Sequence, residues 1–390
     1  MAGSGRYTAQ SSAVEITSRA LNRATLSRQL LLRRESLDVV DAVRRLVALQ
    51  AQHAASPYLA LWNRLEGFAP ADLDAAFTDR TVVKATLMRI TLHAVLADDY
   101  EVFRAAMRPT LYASRLGHRF AAAGLTPADA EELVPGLLAF ADRPRTIAEM
   151  EAWLEERLGT EKKAGAWWGL RAYAPLLHVP TGGPWSFGYR PSYVGLEPAQ
   201  GAEVDASEAL RTLVLRYLEG FGPASVADVA QFAMVQRSRV RQALRALDGA
   251  VEQIDGPDGA VLFDLPGAAR PSAGTPAPPR LMGMWDNVLL AYADRSRLIP
   301  PAYRPLVIRI NGDVLPTLLV DGYVAGVWRP VEGGIEATAF HDLPRGVWDG
   351  LAEEAASLTA LLADRDPRVY SRHHHWWAKL PDARVRTLPG

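Results

Sequence analysis

The sequence contains no cysteine, which excludes disulfides, thiolate nucleophiles, zinc fingers and iron–sulfur clusters together. Lysine is nearly as scarce, since 39 of the 43 cationic residues are arginine. No apolar run approaches the roughly 18 residues of a membrane span. The segment Met1–Ser12 is small and polar, without the apolar stretch of a secretory signal. A cytoplasmic protein with no membrane partner is therefore expected. Familiar signatures are missing as well: there is no P-loop, no Gly-x-Ser-x-Gly, no His-Glu-x-x-His and no dinucleotide fingerprint. Phosphoryl transfer and redox chemistry are disfavoured, and neither a cofactor nor a metal is expected.

What is present is an ordinary globular composition, 49% hydrophobic and 22% charged, spread over 390 residues, more than one core usually organises. A net charge of −1 argues against indiscriminate coating of DNA, because non-specific affinity comes from neutralising phosphates. The charge is uneven, however: residues 1–120 carry 16 Lys/Arg against 11 Asp/Glu, which leaves room for a basic face there. Arginine grips phosphate in a planar fork, although the same excess fits a G+C-rich genome.

A pattern of helices followed by a short β-ribbon occurs three times. The first copy has apolar residues at helical spacing from Leu37 to Leu49, with Ser36 as cap. A turn at Ser56-Pro57, helices through Leu65 and from Pro70, and β-prone runs Thr81–Thr86 and Leu92–Leu96 complete a winged helix. The second copy has Thr146 capping the helix Ile147–Leu154, a helix at Leu170–Leu177, and an expected wing in Thr181–Tyr189. The third has helices Ala209–Leu218, Val226–Ala233 and the basic Arg237–Leu247, then the hairpin Val251–Phe263. Beyond a Pro/Gly/Ala linker lie strand-like residues with turns at Asn311-Gly312, Asp321-Gly322 and Glu332-Gly333-Gly334, and an amphipathic helix, Gly346–Leu362. The expected fold is α+β: three tandem winged-helix units (13–120, 121–200, 201–265), the linker (266–280), a small C-terminal β-barrel-like sheet with a closing helix (281–363), and a basic, aromatic tail (364–390). Adjacent His373, His374 and His375 converge poorly on one ion, so the tail reads as basic or solvated rather than metal-binding.

One segment offers chemistry. Gln50-Ala51-Gln52-His53 presents two carboxamides two residues apart on the turn after the first helix, where an extended backbone points both to one side. Taken alone it also fits a solvated or capping role. With its surroundings it resembles the AlkZ-like family of bacterial DNA glycosylases. The resembling stretches are Leu49–His53, Tyr58, Leu61–Leu65, Met88–His93, Trp285–Arg295 and Leu315–Arg329, and the likeness runs from about Leu21 to Leu362. Ile90 departs from the glycine often found at that place in the family.

The resemblance implies a C-shaped DNA cradle of tandem winged helices and monofunctional excision of purines alkylated at N7 or N3. Bulky or crosslinked adducts of DNA-alkylating natural products, and self-resistance to them, are implied too. It makes Gln50 and Gln52 catalytic, and it makes His53, Arg89, Thr91, His93, Arg237, Arg239, Arg241 and Arg329 DNA contacts, with Arg329–Glu336 as the hairpin entering the minor groove. Arg237, Arg239, Arg241 and Arg245 cannot all face one groove, because helical spacing spreads them round the axis. The partner is double-stranded DNA with alkylated purines, and no dimerisation helix stands out, so a monomer is expected. An amide is no general base, but its oxygen can orient water beside a developing oxocarbenium. The alternatives are a non-catalytic winged-helix regulator and a resistance protein that sequesters a DNA-reactive toxin.

Overall fold

The computed structural model describes residues 16–111, 115–159, 165–196, 204–381 and 384–389, a mixture of helices and antiparallel strands. Thr17 caps α1 (Ser18–Arg28), a helix that apolar periodicity does not announce, because Asn22, Arg23, Thr25 and Arg28 are buried on it. Asp38, rather than Ser36, caps α2 (Val39–Leu46), whose Val39, Ala42, Val43 and Leu46 form the buried stripe. There follow β1 (Leu49–Gln50), α3 (Ser56–Trp62), α4 (Pro70–Thr78), β2 (Val82–Leu87), β3 (Thr91–Leu96), α5 (Ala97–Leu111), α6 (Arg115–Ala122), α7 (Pro127–Phe140), β4 (Arg145–Thr146), α8 (Ile147–Leu158), α9 (Ala166–Tyr173), β5 (Leu176–Val179) and β6 (Ser192–Gly195).

The ribbons of the first two repeats are not separate. They form one six-stranded sheet in the order β1-β3-β2-β5-β6-β4, joined where Lys84 of β2 pairs with His178 of β5. The segment Thr181–Tyr189, expected to be a wing, is instead the loop between β5 and β6. It is tied down: Ser186 and Tyr58 hydroxyls both bond Asp74, and Arg365 pairs with Asp74 at 2.8 Å and donates to the Pro184 carbonyl at 3.0 Å. Loop glycines and Ser186 in left-handed backbone explain why no ladder forms there.

The third repeat comprises α10 (Ala206–Phe221), α11 (Val226–Ala233), α12 (Arg237–Ala246) and the hairpin β7 (Glu252–Asp255) and β8 (Val261–Asp264). Ser225 and Asp228 make a reciprocal capping box at α11. The C-terminal part contains β9 (Arg280–Met282), α13 (Arg304–Val307), β10 (Thr317–Val320), β11 (Tyr323–Val331), β12 (Gly334–Ala339), α14 (Arg345–Ala363) and β13 (Arg384–Pro389). Its strands run β13-β12-β11-β10-β9, so the sheet is open at both ends rather than closed into a barrel. Asp321 (φ 48) and Gly322 (φ 82) make the two-residue turn between β10 and β11 that their sequence calls for. Helix α14 packs on β9, β12 and β13.

The residues after α14 are not a solvated tail. Val369, Tyr370, His373, Trp376 and Trp377 are buried, because the chain folds back across the first unit. Tyr370 shares a hydrogen bond with Ser56 (3.1 Å) and accepts one from the Met284 amide (3.2 Å). Among the described residues no helix is long and apolar enough to cross a membrane.

Candidate active site

The Gln-Ala-Gln segment is an edge strand and its continuation rather than a free turn. Gln50 pairs with His93 across β1 and β3, and the Ala51 amide continues the ladder by donating to the Leu92 carbonyl at 2.8 Å. Ala51 is fully buried. The carboxamides on either side of it bond to two successive residues of β3, Thr91 and Leu92. Gln50 Nε2 donates to Thr91 Oγ1 at 3.2 Å, and Gln52 Oε1 accepts from the Leu92 amide at 3.4 Å. Gln50 is buried and Gln52 is exposed, so the first is fixed and the second presents its amide outward. Thr91 Oγ1 lies 3.1 Å from the Met88 carbonyl, to which it donates.

Arg89 and Ile90 occupy left-handed backbone (φ 54 and 56) in the connection from β2 to β3. That conformation is costly for a β-branched residue such as Ile90 and readily adopted by glycine. Arg89 Nη2 donates to Asn287 Oδ1 at 2.9 Å and lies 3.2 Å from His93 Nε2. A guanidinium only donates, so His93 Nε2 accepts, and its Nδ1 proton goes to the Thr91 carbonyl at 3.1 Å. Burial, reinforced by the Arg89 charge, pushes His93 down to about 3, so the ring is neutral. Burial and the nearby Arg295 push Arg89 down to about 9, which leaves it charged at neutral pH. Asn287 closes the network by donating to the Ala48 carbonyl at 2.8 Å, one residue before β1.

These placements correct several expected DNA contacts. His93 is fully buried and has no surface to offer a phosphate; it orients Arg89 and Thr91 instead. Arg239 is turned inward onto the carbonyls of Ala106 and Ala206. Arg237, Arg241 and Arg245, four residues apart, are exposed along one stripe of α12, so only Arg239 leaves that face. Arg329 makes a two-pronged pair with Glu336 (2.7 and 3.0 Å), and its charge is already matched. His53 is half-buried: its Nδ1 accepts from the Ala55 amide, its ring lies edge-on to Tyr370 at 4.8 Å, and burial followed by the charges of Arg372, His373 and Lys84 pushes it down to about 3.

Gln52 and His53 open onto a cleft of about 280 Å³, walled on the far side by the 181–191 loop and floored by Lys84, Leu92 and His178. Sequence reasoning gave no role to Asn287 or Lys84, and it read this loop as a wing rather than as the wall of a cleft. Asn287 stood inside a resembling stretch, and Lys84 was one of only four lysines, but neither signal named a contact. Among the described residues no group of His, Asp and Glu is arranged to hold a metal ion.

Residues 43–361 match the family model described as DNA glycosylase AlkZ-like. The chain belongs to the AlkZ-like DNA glycosylase family. It is 27% identical over 354 residues to an interstrand DNA cross-link repair glycosylase of Streptomyces sahachiroi, covering 85% of this chain and 92% of that one. Its fold is similar to that of the Streptomyces sahachiroi DNA glycosylase AlkZ, with a TM-score of 0.76 at 23% identity, over 90% of this chain and 98% of that one. The mixed helix and strand architecture is thus that of the AlkZ-like fold, and the enzyme is a DNA glycosylase.

The neutral histidine has a consequence for stability. His93 titrates near 6.5 when unfolded and at about 3 in the fold. Between those values only the unfolded chain takes up the proton, so stability held above 6.5 is lost as pH falls towards 3. The loss approaches about 1.4 kcal/mol per pH unit for one such group. Urea unfolding at pH 6.5, 6 and 5 is expected to report a falling free energy, and His93→Gln to reduce that slope by its own share, leaving that of His53 and His178, which burial also pushes down.

Proposed function

We propose that this glycosylase is a monofunctional enzyme that excises N7- or N3-alkylated purines, including bulky or crosslinked adducts of DNA-alkylating natural products, from double-stranded DNA. The observation that carries the reading is the pair of carboxamides anchored on Thr91 and Leu92, one buried and one facing the cleft. Gln52 orients the attacking water through its carbonyl oxygen and directs partial negative charge at the sugar, while Gln50, held by Thr91, fixes the strand that carries it. The bond from C1′ to the purine nitrogen breaks, and its electron pair neutralises the cationic base. Water adds to C1′ and its proton passes to solvent. Uncharged guanine, a poor leaving group, reacts little, and the weak catalyst thereby selects damage.

The name of the Streptomyces relative supports crosslinked lesions as substrates. We read the three repeats as winged-helix units around the duplex, with exposed Arg237 and Arg241 on phosphates, in a cytoplasmic monomer that serves repair or self-resistance. The test is incubation with duplex carrying N7-alkylguanine, followed by assay of free base and alkali-labile sites. Absence of release, or equal release by Gln50→Ala/Gln52→Ala, overturns the reading. A regulator or a sequestering protein would shift the duplex and release nothing.

Thr91→Val removes one neutral hydrogen bond to Gln50, worth about 1 kcal/mol, and is expected to slow single-turnover base release about five-fold. A rate equal to wild type would deny Thr91 its positioning role.

A further inference from the structure

Lys84 is 5% exposed, and among the described residues no carboxylate lies within ion-pairing distance of it. Its ammonium sits 4.3 Å from the centre of the Phe187 ring, which lines the cleft beside Gln52. Burial pushes Lys84 down only to about 8, so it is mostly charged at neutral pH. Trp185, on the same wall, is buried with an indole N–H that has no hydrogen-bond partner. The Lys84 ammonium, whose partner is the Phe187 ring, and the Trp185 N–H thus both lack a hydrogen-bond acceptor at a cleft whose apolar walls are Leu92, Val179, Phe187 and Tyr189. Unmatched buried donors are costly unless a ligand supplies the acceptor.

The remaining charges point the same way. His53 and His178 are driven neutral by burial. Arg372 on the rim adds a second cation, against one carboxylate among the described lining residues, Asp366, which accepts from the Arg368 amide at 3.0 Å. A cationic arm would be repelled from this cleft, whereas an aromatic group with an acidic oxygen would be attracted.

We propose that the cleft beside Gln52 receives the part of a lesion that extends beyond the nucleobase, and that it selects a flat aromatic group bearing a carboxylate or phenolate oxygen. The ring packs against Phe187 and Tyr189, and the oxygen pairs with Lys84. As a lesion subsite the assignment rests on the glycosylase reading, but the cleft's chemistry can be tested apart from catalysis.

The full chain is titrated with coumarin-3-carboxylate, followed by fluorescence, against N-methylquinolinium, a cation of similar size. Wild type is expected to bind the anion and not the cation, and Lys84→Met to bind the anion about 10-fold more weakly. Phe187→Ala should weaken it as well, and keeps the test alive should Lys84→Met fail to fold. Equal anion binding by folded Lys84→Met, binding of the cation, or displacement of the probe by equimolar inorganic phosphate overturns the proposal. The last result would make Lys84 a backbone phosphate contact. In a second arm, base release is compared for N7-methylguanine and an N7-guanine adduct with a carboxyaryl arm, and Lys84→Met is expected to lower the ratio of arm-bearing to methyl release about 10-fold. An unchanged ratio sinks the subsite. Wild type that releases neither lesion sinks the glycosylase reading, while the binding titration still judges the cleft.

Discussion

Gln52→Ala is expected to lower the single-turnover rate of base release from alkylated duplex by about 100-fold or more, the scale on which loss of one pre-aimed dipole is felt in other enzymes. The side chain is exposed, and its one bond among the described residues is the long 3.4 Å contact to the Leu92 amide. Unfolding free energy should therefore move by no more than about 0.5 kcal/mol. Gln50→Ala should behave differently. Its amide is buried against Thr91, so truncation leaves a hole and removes one hydrogen bond to the Thr91 hydroxyl, and activity and stability fall together. Parallel kinetics and urea unfolding on the two variants separate a group that acts on the reaction from one that holds the frame. Equal rates for Gln52→Ala and wild type would remove the amide from the chemistry.

The largest effect on stability is expected from Arg64→Met. Arg64 is 1% exposed and Asp286 4%. The guanidinium meets both carboxylate oxygens at 2.8 Å and also donates to the carbonyls of Gln29 and Ala60 at 2.9 Å. Removing one partner of a buried pair strands the other charge, at a cost of about 3–5 kcal/mol. Chemical unfolding measures this directly. The double variant Arg64→Met/Asp286→Asn should recover part of the loss, because no bare carboxylate remains. Asn287 lies next to Asp286 and bonds both Ala48 and Arg89, so Arg64→Met should slow base release as well. A loss below about 1 kcal/mol would mean that water reaches the pair.

How much of this could be read from the residues alone depended on which force shaped each element. Helix α2 was legible because its buried stripe is apolar, and the turn at Asp321-Gly322 because few residues tolerate left-handed backbone. Helix α1 was not, since Asn22, Arg23, Thr25 and Arg28 are buried on it beside Leu21, Ala24 and Leu26, and are held by hydrogen bonds to residues more than 180 positions away. The same applies to the joined sheet: strand patterning announces a ribbon but carries no sign that Lys84 will pair with His178. The Gln-Ala-Gln segment was found by resemblance, yet its setting as an edge strand clamped by Asn287 lay in contacts across the chain. Arg239 and Arg329 were taken as free cations because a sequence lists charges without their partners.

The ties between the two ends of the chain bear on its synthesis. Arg34 is paired with Glu354, Asn63 with the Leu281 carbonyl, and Arg64 with Asp286. Arg64 therefore leaves the ribosome 222 residues ahead of its carboxylate. At about 5–20 residues per second that is a wait on the order of 10–40 s. During that interval the nascent first unit, with β1 already made, lacks the groups that cover its buried guanidinium, so the strand can be locked in place only after Asp286 and Asn287 have emerged.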